Sequence, residues 1–577
     1  MVLADNLLRI DSYLTYLLCV SWVLYAPSVQ GQSQQEADVL LTNGQIYTMA
    51  AARNKVQAIA IKSGQIIFTG PNRSAKAYLG SKTKVIDLKN RMVLPGFTDS
   101  HIHPIGGGTR LMNCDLTDLR TAGKVLEKVR AYAQSNPSKE WIIGGGLWLP
   151  AIDNGQPSAT TLDKIVPDKP VYITSADGHS AWVNTKALEI AGITADTKDP
   201  NNGVIERRAD GRPIGTLRES AMSLVSKHIP ASSAEEKIVA LQKAQDLAHQ
   251  YGITAWIDAS VGASAIEAYL TLEEADHLQL DVDLSITASV TKAAKAVPDI
   301  LALYNEFSPK SRNIKMKSTK IFIDGVVEGK TAALFENYVG ESHNGLAYLD
   351  QEAYNEMVAA FDKAGIQVHV HACGDKGVNM TLNAFEYARQ QNEIWDARHH
   401  IVHMQLMHPD DIDRFRELDV VANIQPLWAT PEDTYISDLT IPVVGPERTE
   451  WIYPFGAIAQ SGAVIAHGSD WPVTTMNPFH AIQVAVTRRG PDEIERPAWT
   501  PQHLLDLYTV LNAYTQGGAY LMHREQDSGS IEIGKRANLM VLNQDLFAIP
   551  KTAIHQTEVL LTFYEGEIVY QNEKWKP

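Results

Sequence analysis

Val93-Leu94-Pro95-Gly96-Phe97-Thr98-Asp99-Ser100-His101-Ile102-His103-Pro104 is the stretch on which the reading of this chain turns. An apolar run broken by Pro-Gly resumes as an extended segment that ends in two histidines one residue apart. Side chains alternate with period two along a strand, so both imidazoles project from the same side. That suits a metal pincer, and it equally suits two polar residues at a strand end. The recurrence of matching residues at the ends of other strands separates the two readings.

Downstream, apolar runs alternate with helical patterns: Gly252–Asp258, Val282–Val290, Ser318–Asp324, Ile366–Ala372, His399–Met404, Asp419–Ile424 and Ala463–Gly468. With the His-x-His segment they make eight. Eight βα units predict an α/β fold of the (β/α)8 barrel type, with its site at the C-terminal ends of the strands. Residues from about 118 to 229 fall outside the count and read as an insertion after the first strand, placed to cap the barrel mouth. This block has apolar runs of its own, Trp141–Gly146 and Val171–Ser180.

Short β-like runs occupy both chain ends. Residues 38–49, 57–69 and 84–88 carry turn signals at Asn43-Gly44 and Ser63-Gly64, and residues 529–542 and 559–570 carry one at Glu565-Gly566. They predict a β-sandwich built from 38–92 and 529–577, with the barrel between them at 93–528. The apolar run Tyr13–Pro27, followed by Val29-Gln30-Gly31, reads as a secretory signal over 1–31. Export to the periplasm or outside the cell follows from that reading, or membrane anchoring if the leader stays attached.

The 51 basic and 67 acidic side chains give a net charge of −16, which invites neither nucleic acid nor an anionic membrane surface. A hydrophobic share of 45% with 20% charged residues belongs to a folded chain rather than a disordered one. Cys19 lies in the leader. The other two cysteines, Cys114 and Cys373, are too few for a disulfide framework, and Cys373 reads as a buried thiol.

The strand ends converge on one chemistry. The first strand ends in His101 and His103, the fourth carries Lys320 and Asp324, and the fifth carries His369 and His371. The sixth ends in His403, and the eighth leads into Ser469-Asp470. Neutral imidazoles plus a carboxylate, with a position left open for water, serve zinc well. Each histidine alone reads as structural, but His101, His103, His371, His403 and Asp470 recurring at one end of separate strands read as a ligand set. Trp148, Trp182, Trp428 and Trp471 are candidates for an aromatic pocket wall or for core, and Glu206 and Glu219 for polar contacts from the cap.

The chain resembles the amidohydrolase superfamily, and within it the YtcJ-like group that includes N-substituted formamide deformylases. The resemblance runs from Asp38 onward. It rests on Leu94–His103, Asp177-Gly-His-Ser-Ala-Trp-Val-Asn184, Lys320-Ile-Phe-Ile-Asp-Gly325, His371-Ala-Cys-Gly-Asp375, Gly468-Ser-Asp-Trp-Pro472 and Gly529–Lys535. It implies that His101, His103, His371 and His403 hold metal, and that Asp470 binds metal and takes a proton from the attacking water. Lys320 resembles a lysine that, once carbamylated, bridges two metals; unmodified, it would pair with Asp324 or a substrate carboxylate and leave one zinc. Val402, Cys373 and Asn538 depart from the group's pattern.

The function so implied is hydrolysis of a non-peptide C–N bond in a small molecule, an N-substituted amide or formamide. The alternatives are a cyclic amide, carbamate or ester on the same site, or a non-catalytic binding member of the fold. His179 is a candidate for a substrate-facing group that steadies an oxyanion, or for a histidine that anchors the cap. A homodimer is a further expectation of the resemblance.

Overall fold

Eight parallel strands lie side by side in chain order, each hydrogen-bonded to the next. They are β1 (Phe97–Ile102), β2 (Ile253–Val261), β3 (Asp281–Thr287), β4 (Ile314–Phe322), β5 (Gln367–Ala372), β6 (His400–His403), β7 (Val421–Ile424) and β8 (Ile465–His467). In this computed structural model the described residues are 35–576, except 51–53, 118, 177, 179, 201–202, 308–310, 312, 432–434, 492 and 494. The leader reading over 1–31 and the candidate His179 therefore lie outside the described residues. No helix among the described residues is long and apolar enough to cross a membrane.

All eight strands expected from the sequence form. β3 is shorter than expected, ending at Thr287, and a 3-10 helix (Val290–Ala296) follows. The first and last strands are drawn together by the segment after β8. The Asp470 N–H donates to the His101 carbonyl at 2.8 Å, and the His103 N–H donates to the Trp471 carbonyl at 2.8 Å. Gly468 permits this approach, because a Cβ there would sit 2.4 Å from the Cβ of His101. Gly96 does the same below it, where a Cβ would meet the Thr254 side chain at 2.2 Å.

Strand alternation sorts the barrel into two faces. Val368, Val370 and Ala372 of β5 and Ile321 of β4 join the large apolar core. The alternate residues, Lys320 on β4 and His369 and His371 on β5, therefore point to the barrel axis. Lys320 pairs with His369 and His369 with His400, so these three polar side chains share one level of the barrel.

The insertion forms a six-stranded sheet of its own, beginning at Cys114–Asp115, slightly before the expected boundary. Its strands lie in the order Gly203–Arg207, Pro213–Glu219, Ser180–Val183, Val171–Ser175, Ile142–Leu147 and Cys114–Asp115. Separate apolar clusters, one around Ile142, Ile173 and Trp182 and one around Tyr172, Val183 and Leu217, account for its independence from the barrel core. The chain leaves β1 at the C-terminal mouth and returns through the helix Ala234–Gln250. That helix opens on a Ser233/Glu236 capping box and buries Ala240, Leu241, Ala244 and Ala248 at helical spacing.

Two further sheets combine the chain ends around one core that includes Leu41, Ile59, Ile531, Leu539 and Phe563. Ser63-Gly64 and Glu565-Gly566 make the expected hairpins, with positive φ at both central residues of each. Asn43-Gly44 does not make one. Val39–Thr42 pairs in one sheet and Gln45–Tyr47 in the other, so this turn hands the chain across the sandwich.

Candidate metal centre

His101 and His103 end β1, and the backbone bonds just described bring Asp470 between them. Asp470 Oδ1 lies 3.3 Å from His101 Nε2 and 3.0 Å from His103 Nε2. The three side chains offer ligand atoms all within 4.8 Å of one another, a donor set suited to a divalent cation. Asp99 holds the frame from beneath, accepting from the N–H groups of His101 (3.3 Å) and Ser469 (2.9 Å). Asp470 has φ of +55°, a left-handed conformation that turns its carboxylate back toward β1.

His371 and His403 complete the cluster. Their rings are 4.5 Å apart, and the His403 ring is 5.0 Å from that of His101. Regular alternation along β6 would not place His400, Val402 and His403 all on one face. A φ of +78° at His403 breaks the alternation and re-aims its ring. Trp428 stacks on that ring at 5.6 Å with an interplanar angle of 17°, and the Gln425 amide oxygen accepts from the His403 N–H at 2.9 Å. His371 Nε2 faces the Gly325 carbonyl at 3.1 Å. A carbonyl only accepts, so Nε2 carries the proton and the Nδ1 lone pair remains available.

The electrostatics suit a metal. Burial pushes His101 down to about 3, with the Lys320 charge acting in the same direction and Asp470 against it. Burial likewise lowers His371 to about 4 and His403 well below the usual range, leaving imidazoles neutral at pH 7. For Asp470 burial acts upward, but the adjoining His101 and His103 outweigh it and keep the carboxyl well below its ordinary value. Neutral imidazoles and an ionised carboxylate are the forms that bind metal.

Lys320 is 1% exposed, and its Nζ has no hydrogen-bond partner among the described residues. Burial lowers it to about 7, opposed by Asp470 and Cys373. The expected pairing of an unmodified Lys320 with Asp324 does not occur. Asp324 Oδ1 accepts from the Cys373 N–H (3.0 Å), and Oδ2 accepts from those of Gly374 (2.9 Å) and Ala333 (3.0 Å). Burial raises Asp324 to about 7 against the pull of these three bonds, and both its oxygens are committed to stitching the loops after β4 and β5.

The other sequence candidates divide. Trp428 lies on the cluster and Trp471 flanks Asp470, but Trp182 is buried in the insertion core and donates its indole N–H to the Ser158 carbonyl at 2.9 Å. Trp148 also belongs to the insertion, with the Arg120 guanidinium 5.1 Å over its ring. Glu206 pairs with Arg218 at 2.6 Å on the neighbouring strand of the insertion sheet, a contact that explains it without a substrate. Cys373 is buried, as expected, with its Sγ 3.5 Å from His371 Nε2. Sequence reasoning gave no role to His369, whose ring lies against His101. The second His-x-His, at 369 and 371, was the signal.

An eight-stranded barrel with a histidine-carboxylate cluster at its mouth, flanked by a sandwich from both chain ends, defines a hydrolase of the metal-dependent barrel class. The chain belongs to the amidohydrolase family, whose model matches residues 84–570. It is 32% identical to Protein LONG AFTER FAR-RED 3 of Arabidopsis thaliana, over 92% of each chain. Identity is 29% to a putative amidohydrolase, YtcJ, of Bacillus subtilis, over 92% of this chain and 98% of that one. It is 25% to an N-substituted formamide deformylase of Arthrobacter pascens, over 93% and 99%. Among solved structures, an uncharacterized metal-dependent hydrolase from Pyrococcus horikoshii superposes with a TM-score of 0.72 at 25% identity, over 89% of this chain and 99% of that one.

Proposed function

We propose that this protein hydrolyses a non-peptide C–N bond, that of an N-substituted amide or formamide, at a zinc centre. The observation that carries the proposal is the convergence of His101, His103 and Asp470 within ligand distance of one another, with the neutral His371 and His403 beside them. The donor set fits zinc: the imidazoles of His101, His371 and His403 held unprotonated by burial, an ionised Asp470 carboxylate, and a buried His403 Nδ1 that has no hydrogen-bond partner among the described residues. Similarity to the formamide deformylase over nearly the full length of both chains supports this substrate class.

His101, His103, His371, His403 and Asp470 would hold the metal. Lys320 would join them as its carbamate, making the site binuclear. Bound zinc would supply Lewis acidity toward the scissile carbonyl and a lowered pKa for water. Asp470 is the base placed to receive the water proton on its carboxylate and to return it to the departing nitrogen. The insertion leaves and rejoins the barrel at the mouth, which supports its reading as a cap over the substrate.

His179 is proposed as the cap's substrate-facing group. His179→Asn is expected to lower kcat by about 10²-fold with metal content unchanged, in line with the loss of one oxyanion donor. Steady-state kinetics with parallel elemental analysis checks this, and unchanged turnover would return His179 to an anchoring role. The substrate class is tested on a panel of N-substituted formamides, cyclic amides, carbamates and esters. Release of formate and amine that stops on chelation supports the proposal. Turnover of esters or cyclic amides alone would contradict it.

A further inference from the structure

The His101 ring is gripped on both sides. Nε2 faces Asp470 at 3.3 Å, and Nδ1 lies 2.8 Å from Nε2 of His369. Both rings are buried, at 1% and 0% exposure. The His369 ring is backed in turn by that of His400, with centroids 4.1 Å apart and planes 41° to each other. His369 Nδ1 and both nitrogens of His400 have no hydrogen-bond partner among the described residues. Two neutral imidazoles meeting nitrogen to nitrogen share one proton, so one donates and the other accepts.

We propose that His369 is a positioning residue for the metal centre, accepting a hydrogen bond at Nε2 from the His101 Nδ1–H and so fixing the tautomer and ring angle of His101. The inference rests on the reading of His101 as a metal ligand. Nε2 is the nitrogen beside Asp470 and the one that keeps its lone pair for metal, which leaves the proton on Nδ1. A metal-bound histidine commonly passes its other N–H to a carboxylate or a carbonyl. Here the acceptor is an uncharged imidazole, set by strand register at the level of Lys320 and His400 and held in rotation by the His400 ring. It orients the ligand without adding negative charge beneath the site. His369 does not face substrate; it acts through His101.

The test uses the full chain with His369→Leu and His369→Gln. Glutamine keeps an acceptor oxygen near the position of Nε2, whereas leucine fills the space without one. Zinc affinity is read by competition with a chromophoric chelator, and the metal-free fold by circular dichroism and thermal melting. His369→Leu is expected to weaken zinc binding by about 10–100-fold, the usual effect of losing such a partner. His369→Gln is expected to recover most of that affinity, with the metal-free melts of both variants close to wild type.

Wild-type zinc affinity in the leucine variant would overturn the proposal. If that variant does not fold, ¹⁵N-histidine spectra of zinc-loaded wild type decide, with His369 assigned by its disappearance in His369→Gln. An unprotonated Nε2 on His369 supports the proposal and a protonated one refutes it. A wild type that binds no zinc at all would instead retire the metal reading on which the proposal stands.

Discussion

Asp470→Asn is expected to lower kcat by about 10²–10⁴-fold, the range that a positioned general base contributes, while KM changes little. The substitution keeps the shape of the side chain and an oxygen that faces His101 and His103, but removes the charge and the capacity to accept the water proton. The backbone is expected to keep its path, because the left-handed turn at Asp470 is held by its N–H bond to the His101 carbonyl and by Asp99 accepting from the Ser469 N–H. Asparagine tolerates positive φ well. Turnover within a few-fold of wild type, with metal retained, would show that the proton goes elsewhere.

Loss of the proposed Lys320 carbamate is the second large expected effect. Carbamylation joins the Nζ lone pair to the carbon of carbon dioxide and releases a proton from nitrogen, so it requires the unprotonated amine. Burial brings that amine to about 7, which leaves a substantial unprotonated fraction at neutral pH and progressively less as the pH falls below 7. Zinc reconstitution of metal-free protein in bicarbonate buffer at pH 8 is therefore expected to reach about two equivalents, and in carbon dioxide-free buffer about one.

Lys320→Met should behave as the carbon dioxide-free protein at every pH, with kcat/KM lowered by about 10²-fold or more, as expected for a few kcal/mol of lost transition-state stabilisation. Mass spectrometry showing an unmodified Lys320 in fully loaded, active enzyme would refute the carbamate.

The barrel was legible because its evidence is repetitive. Each βα unit places an apolar run before a helical pattern, and eight such runs between residues 93 and 468 leave few other ways to bury them. The insertion was legible only as a gap in that count. Its hairpin strands Gly203–Arg207 and Pro213–Glu219 carry polar residues at many positions, and the run from Val171 to Ser180 belongs to two antiparallel strands rather than one. Asn43-Gly44 shows the limit of local reading: the turn residues were right, but pairing partners are chosen by the whole sandwich core.

The site was legible where chemistry recurs at strand ends. His101, His103 and Asp470 converge at one mouth although they come from the first and the last strands, because parallel strands in sequence order return the last to the first. Strand period alone would have turned His403 away from the cluster, and only its positive φ puts it in place. Asp324 stands four residues after Lys320, which made it one of two candidate partners for an unmodified lysine. The three backbone N–H groups that claim Asp324 come from later loops and leave no mark on that spacing. The second His-x-His marks His369, but its contact with His101 joins strands far apart in the chain and is set by the closed barrel rather than by that spacing.

Metal content per chain, measured by elemental analysis on protein purified without chelators and on a His101→Ala, His103→Ala double variant, decides whether this barrel mouth is a metal centre. About two equivalents of zinc are expected in the wild type, with most of it lost in the variant. Wild-type protein that carries no metal, and takes up none when zinc is added in bicarbonate buffer, would contradict the metal reading.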